Sequence, residues 1–299
     1  MTAPSWFWIV FTVFAAALQT GRNAMQRELT ATLGAVGATH VRFLFGTPFA
    51  ILFLLAVLTS NHAALPQTSI TFWLWIVAGA LAQILGTALM LMTMEQRSFV
   101  VATAYIKTEP VFVALFGLLF LADPITLPMF AAILIATAGV IVISFSAKAN
   151  YADLHTAALG LGSGLAFAVA AIGFRGAILS LALPGYVIPA TFTLAIGLII
   201  QTVTLSLWLA VRSPHTLIAM MRLWRPSLSA GFLGALASEF WFLAFALTSA
   251  ANVRTLGLID VVFAQGVSRF VFRHHTTRRE YAGIAILLAG AILLVIVHR

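Results

Sequence analysis

Arg22, Arg42, Lys107, Glu109, Arg175, Glu239, Asp260 and Arg269 stand inside stretches of sequence that are otherwise apolar, and His40 stands two residues before Arg42. Ionisable side chains in such surroundings pair with one another, face a water-filled cavity, or carry ions and protons. Glu109, Glu239 and Asp260 are candidates for proton coupling or for neutralising a cationic substrate, and Lys107 for counterbalancing an anionic one. Trp241 and Phe242 beside Glu239 would give it an aromatic wall. Gln19, Asn23, Gln83, Gln201 and Gln265 are weaker candidates, because a Gln or Asn in a span also serves as an interhelical hydrogen bond worth about 1 kcal/mol. The set expected to contact substrate is Gln19, Arg22, Asn23, His40, Gln83, Lys107, Glu109, Arg175, Glu239, Trp241, Asp260 and Gln265.

Each of these has a plainer reading. Lys107 and Asp260 would serve as an ion pair that only fastens helices. Arg22 and Arg175 near span ends would snorkel to the interface, as would Arg42 with His40 at the start of another span. Arg269 has basic neighbours beyond it and reads as interfacial, and Glu239 would serve as a helix tether. Lys107 and Glu109 are two apart, so a helix points them to different faces and they are poor mutual partners. Pro110 removes the backbone donor for the Ile106 carbonyl and disfavours α geometry at Glu109. A kink over Ile106–Pro110 follows.

Spans of helix must position these groups. The chain has 299 residues, of which 62% are hydrophobic and 8% charged. Its mean hydropathy is +1.07. Soluble domains carry about 45–50% apolar and about 25% charged residues. This composition excludes a soluble enzyme, a nucleic-acid-binding domain and a disordered chain, and leaves a protein solvated mostly by lipid. The net charge of +8 reflects basic residues at the ends of apolar runs, not a nucleic-acid footprint. Cysteine is absent, which excludes disulfides and thiol chemistry. No Lys or Arg precedes the first apolar run, so it reads as a retained span and not as a secretory signal.

At about 20 apolar residues per span, ten transmembrane helices are predicted at 6–24, 35–58, 70–93, 98–121, 126–147, 156–180, 186–210, 226–248, 253–272 and 280–297. Long alternating strands are absent, which argues against a β-barrel. The longest connection is 211–225, too short for a soluble domain. Trp6, Trp8, Trp73, Trp75, Trp208 and Trp224 near span ends fit interfacial belts.

The halves are related. EPVF (109–112) and DVVF (260–263) lie at the same offset as AAILIATAGV (131–140) and AGIAILLAGA (282–291). GALA occurs at 79–82 and 234–237, and AAALQTGRNA (15–24) is similar to AVAAIGFRGA (168–177). Two repeats, 1–147 and 148–299, with five helices each would be inverted relative to one another. That is the plan of many secondary transporters, with substrate near the midplane. No GxSxG, HExxH or Walker A pattern occurs. His274 and His275 lie in a charged loop, with only Glu280 near as a further metal ligand. No cofactor and no enzymatic activity are expected, and transport would run on gradients or exchange.

HVRFLFGTPFAILFLL (40–55) resembles the Arg-Phe-led second helix of the EamA-type drug/metabolite transporter superfamily. YIKTEPVFVALFGLLFLADPIT (105–126) and the glycine-bearing ILIATAGVIVIS (133–144) are similar to its fourth and fifth helices. Asp123 stands where that family usually has Glu, DVVF lacks the proline, and His274 falls where an acid is expected. The second-repeat helix therefore need not kink. The resemblance implies a multi-pass protein of the cell (inner) membrane that exports amino-acid-like compounds, other metabolites or drugs by alternating access through a central cavity. Its partners would be a small-molecule substrate, the bilayer, and a proton or counter-substrate, with no nucleic acid; the sequence leaves the oligomeric state open, a monomer being compatible with it. Basic residues outside the spans fall mostly on the odd-numbered loops, which predicts both termini outside; the resemblance implies cytoplasmic termini. A membrane scaffold or regulatory partner, and an intramembrane lipid-modifying enzyme, are the alternative classes.

Overall fold

The computed structural model describes residues 4, 6–96, 106–144, 154–270 and 277–298. The start of the fourth predicted span, Arg97, Lys148, Arg273, His274, His275 and the side chain of Arg269 lie outside the described residues. Among the described residues all regular structure is helical and no strand occurs. The helices are α1 (Phe7–Ser60), α2 (Ile70–Gln96), α3 (Glu109–Leu121), α4 (Leu127–Ser144), α5 (Leu154–Ser180), α6 (Val187–Arg212), α7 (Pro214–Arg222), α8 (Trp224–Leu247), α9 (Ala250–Leu256), α10 (Asp260–Phe270) and α11 (Arg278–Val297). Those long and apolar enough to cross a membrane are Glu28–Ser60, Ile70–Thr93, Ala158–Ser180, Val187–Arg212, Trp224–Leu247 and Arg278–Val297. Glu109–Leu121 and Leu127–Ile143 are apolar but shorter. Leu52, Leu74, Leu119, Leu207 and Ile292 are more than half exposed, as lipid-facing side chains are. The chain is a multi-pass membrane protein.

By its contacts the chain forms two compact units, Met1–Ile84 with Gly173–Thr248, and Leu85–Ile172 with Ser249–Arg299. Each unit takes one segment from either half of the sequence.

In the first unit, α1 runs for 54 residues. Straight, it would be about 81 Å long, against a hydrocarbon core of about 30 Å. It is not straight. Gly34 has φ 67° and ψ 172°, a conformation open essentially to glycine alone. Gln26 Nε2 donates to the Ala38 carbonyl at 2.9 Å across this point. Arg22 Cδ and Arg42 Cγ each lie 3.3 Å from where a Cβ on Gly234 would sit. In a straight helix those two arginines, 42 − 22 = 20 residues apart, would be separated by about 30 Å. The backbone therefore reverses at Gly34, and the predicted spans 6–24 and 35–58 fall on the two arms. The connection at 211–225, expected as a loop, instead contains the short helix α7, begun by Pro214 at its first turn.

In the second unit, α4 and α11 pack with almost no side chain between them. A Cβ on Gly139 would lie 2.4 Å from the Leu287 nitrogen, and one on Gly290 2.4 Å from the Ala136 nitrogen. Close backbone approach through small residues drives helix association where lipid removes the hydrophobic gain. These contacts fall in the stretches 131–140 and 282–291, whose sequences are similar.

The expected break over Ile106–Pro110 falls at Lys107 and Thr108, which form a turn between helical Ile106 and α3. Glu109 itself is not displaced from helical geometry: it is the first residue of α3. Pro110 sits in the first turn, where its missing N–H has no helical partner to lose. The stretch before Asp260, which lacks a proline and so need not kink, is divided. A 3₁₀ turn at Gly257–Ile259 separates α9 from α10, and Asp260 opens α10. Tightening of this kind inside a helix marks a hinge or a strained sequence.

Gly34→Ala is expected to destabilise the protein by about 1–3 kcal/mol, read by denaturant unfolding in detergent. Unchanged stability would mean that the reversal does not need this backbone conformation.

Candidate functional site

In the second unit, four charges meet where these helices begin. Lys107 Nζ, in the turn before α3, contacts Asp260 Oδ2 at 2.5 Å. Arg254 Nε, on α9, lies 2.6 Å from Glu109 Oε1. Glu109 also feels the charges of Lys107 and Asp260. The pairing is crossed: the base before each acid pairs with the other acid. Each acid also opens a helix, where the backbone dipole favours negative charge by about 0.3–1 kcal/mol. All four side chains are mostly buried. Of the expected site residues, this unit thus joins Lys107, Glu109 and Asp260, while Gln265 is half-buried on α10. Arg254, at the edge of the predicted span 253–272 and not among the expected site residues, is a helical ion-pair partner. Its place six residues before Asp260 in the apolar stretch ANVRTLGLID was the available signal.

Below α10 in sequence, the end of α11 is tied to α9. Asn252 Nδ2 lies 2.9 Å from His298 Nδ1. Burial pushes the His298 imidazole below its ordinary value.

In the first unit, the expected residues separate into several contacts. Trp241 Nε1 donates to Gln19 Oε1 at 3.1 Å. Arg22 donates to Asn23 Oδ1 at 2.6 Å and Arg42 to Ser238 Oγ at 3.4 Å. Thr191 Oγ1 donates to Glu239 Oε1, a partner the sequence did not mark out. His40 is fully buried, with Nε2 2.9 Å from Ser206 Oγ. Gln201 Nε2 donates to Gln83 Oε1 at 2.8 Å and so ties α6 to α2. Arg175 donates to the carbonyls of Phe245 and Thr248, the end of α8. A cation there satisfies carbonyls left without helical donors and complements the dipole. Arg175 is thus a helix cap, not a snorkelling residue, and Arg22 and Arg42, at 3% and 5% exposure, do not snorkel either. Among the described residues no group of three or more His, Cys, Asp or Glu is placed to hold a metal ion.

Paired charges at helix starts inside an apolar, multi-pass chain are features of a membrane transporter. Residues 6–145 match the family model of EamA-like transporters, within the drug/metabolite transporter superfamily. Members of that family are transporters and take small-molecule substrates across a lipid bilayer. One solved crystal structure, described only as that of a protein, superposes with a TM-score of 0.72 over 98% of this chain and 98% of its own, at 13% identity. That likeness concerns the fold. No curated protein matches the sequence.

Removing one member of a buried ion pair strands the other, at about 3–5 kcal/mol, whereas removing both costs much less. Arg254→Met is therefore expected to destabilise more than Arg254→Met combined with Glu109→Leu, in a double-mutant cycle of unfolding free energies. Equal losses would mean that the pair is not coupled. The His298 contact predicts a pH dependence. With the native imidazole depressed, the unfolded chain binds the proton more readily. Stability is complete above the unfolded value of about 6.5 and falls as pH drops through the native one. His298→Gln should flatten the profile of melting temperature between about pH 7 and 5.

Proposed function

We propose that this chain is a secondary transporter of the inner cell membrane that exports a small metabolite, amino-acid-like compound or drug. In this reading ten transmembrane helices form two inverted five-helix repeats, 1–147 and 148–299, which alternate access to a central site. The observation that carries the proposal is the crossed pairing of Lys107 with Asp260 and of Arg254 with Glu109. A scaffold needs no charges at the starts of repeat-related helices, since each costs about 2.5–3.5 kcal/mol to insert. An exchangeable ion pair suits a transporter because a proton or a charged substrate group can replace either partner. Protonating Asp260 or Glu109 would release Lys107 or Arg254 and loosen the start of α10 or α3. Glu239, held by Thr191, is the third carboxylate able to carry a proton. The match of residues 6–145 to the EamA-like family supports the class.

The test is uptake of candidate metabolites into liposomes against an imposed pH gradient. Wild-type transport should follow the gradient. Glu109→Gln and Asp260→Asn should lose the pH dependence, and Lys107→Ala should reduce the rate at least tenfold. Full pH-dependent transport by both carboxamide variants would refute proton coupling at this cluster.

A further inference from the structure

Residues 211–225, VRSPHTLIAMMRLWR, join two apolar helices of membrane-spanning length, α6 and α8. The segment holds three arginines and a histidine, and no Asp or Glu occurs between Asp153 and Glu239. Within it, α7 is nine residues long. At 1.5 Å per residue it spans about 14 Å, under half of the roughly 30 Å hydrocarbon core. It cannot cross the bilayer, and its place between two spans sets it at the membrane boundary. One face of α7 is docked on the protein. Met220 is fully buried, and Thr216 Cγ2 lies 2.8 Å from where a Cβ on Gly37 would sit, three residues after the reversal of α1 at Gly34. The opposite face is open. There Ile218 and Met221 are 57% and 59% exposed, and Arg222 is exposed beside them. Trp224, half-exposed, follows the end of α7, with the Arg225 guanidinium 5.4 Å from its ring centroid. Among the described residues, none of Arg212, Arg222 and Arg225 takes part in an ion pair.

A helix face that mixes large apolar side chains with bases and lacks acids suits neither water nor hydrocarbon alone; it suits the plane between them. There the apolar side chains sink toward the acyl chains, while long arginine stems carry their charges back to the headgroups. A guanidinium presents a planar fork of donors that matches phosphate oxygens, and each base at an anionic lipid surface adds to the attraction. Tryptophan is at home at the same level. We propose that α7 and the residues flanking it bind the headgroups of anionic phospholipids, with Arg212, Arg222 and Arg225 as the phosphate-binding cations and Ile218, Met221 and Trp224 seated among the acyl chains. Because α7 rests on α1 at its reversal and links α6 to α8, a lipid held here fastens three helices at one boundary of the membrane. The site uses none of the residues of the buried ion pairs, so it stands apart from the transporter reading.

The test uses the full-length protein purified in an uncharged detergent, with melting temperature as readout. Phosphatidylglycerol is compared with phosphatidylcholine at equal mole fraction and ionic strength. Phosphatidylglycerol should raise the wild-type melting temperature by roughly 3 °C or more over phosphatidylcholine. Arg222→Gln combined with Arg225→Gln should remove most of that increment, while Arg278→Gln, at the exposed start of α11, should keep it. Equal melting temperatures with the two lipids in the wild type overturn the site, whether or not the variants fold. So does an increment that survives in the double variant. An increment lost equally in Arg278→Gln would reduce the effect to net charge and would also overturn it. Soluble polyglutamate that stabilises the wild type where phosphatidylglycerol does not would make the occupant an acidic polypeptide, against the proposal. Arginine-dependent stabilisation by phosphatidylglycerol with no transport in liposomes leaves the site standing and counts against the transporter alone.

Discussion

A charge that enters hydrocarbon has no water to solvate it, so its partner must come from within the protein. That constraint organises the second compact unit around Lys107, Glu109, Arg254 and Asp260. No neighbouring pair in the sequence satisfies it. Lys107 and Glu109 share a segment but point apart, and each is answered by a residue from the other half of the chain. The acids themselves begin helices, Glu109 α3 and Asp260 α10. Charge pairing, helix polarity and the turns before α3 and α10 thus form one arrangement, in which a change of charge at one carboxylate acts on the backbone next to it.

Bringing such groups together depends on how closely helices can approach. Lipid tails are as apolar as leucine, so burying leucine against leucine drives little association in a membrane, and backbone proximity must supply the attraction. At Gly139 and Gly290 the backbones of α4 and α11 touch. At Gly34 the freedom of glycine serves another purpose, turning one helical run back on itself so that its arms lie together. At Gly234 the missing side chain leaves space for two arginine stems.

Some of this could be read from residue order. The pairing of Lys107 with Asp260 was among the expected arrangements, because both interrupt apolar runs and lie near corresponding places in the two repeats. The importance of Arg254 was not, since a basic residue at the edge of a predicted span reads equally well as a loop residue. Arg175 shows the opposite error. A cation near a span end suggests snorkelling, but the carbonyls of Phe245 and Thr248 lie within its reach and the lipid interface is not needed. Without a proline the stretch before Asp260 need not kink, yet a 3₁₀ turn at Gly257–Ile259 interrupts it.

The sequence by itself determined that this is a helical, multi-pass membrane protein and that its charged residues inside apolar runs are the ones to examine. Hydropathy is a sum over neighbours along the chain, and the cost of inserting a charge is paid locally. The tertiary structure decided which of those charges meet, that Glu239 is held by Thr191, and that Arg22 and Arg42 share one glycine. Such contacts depend on where a helix reverses and on which faces come within a few ångströms, and the chemical types of the residues leave both open.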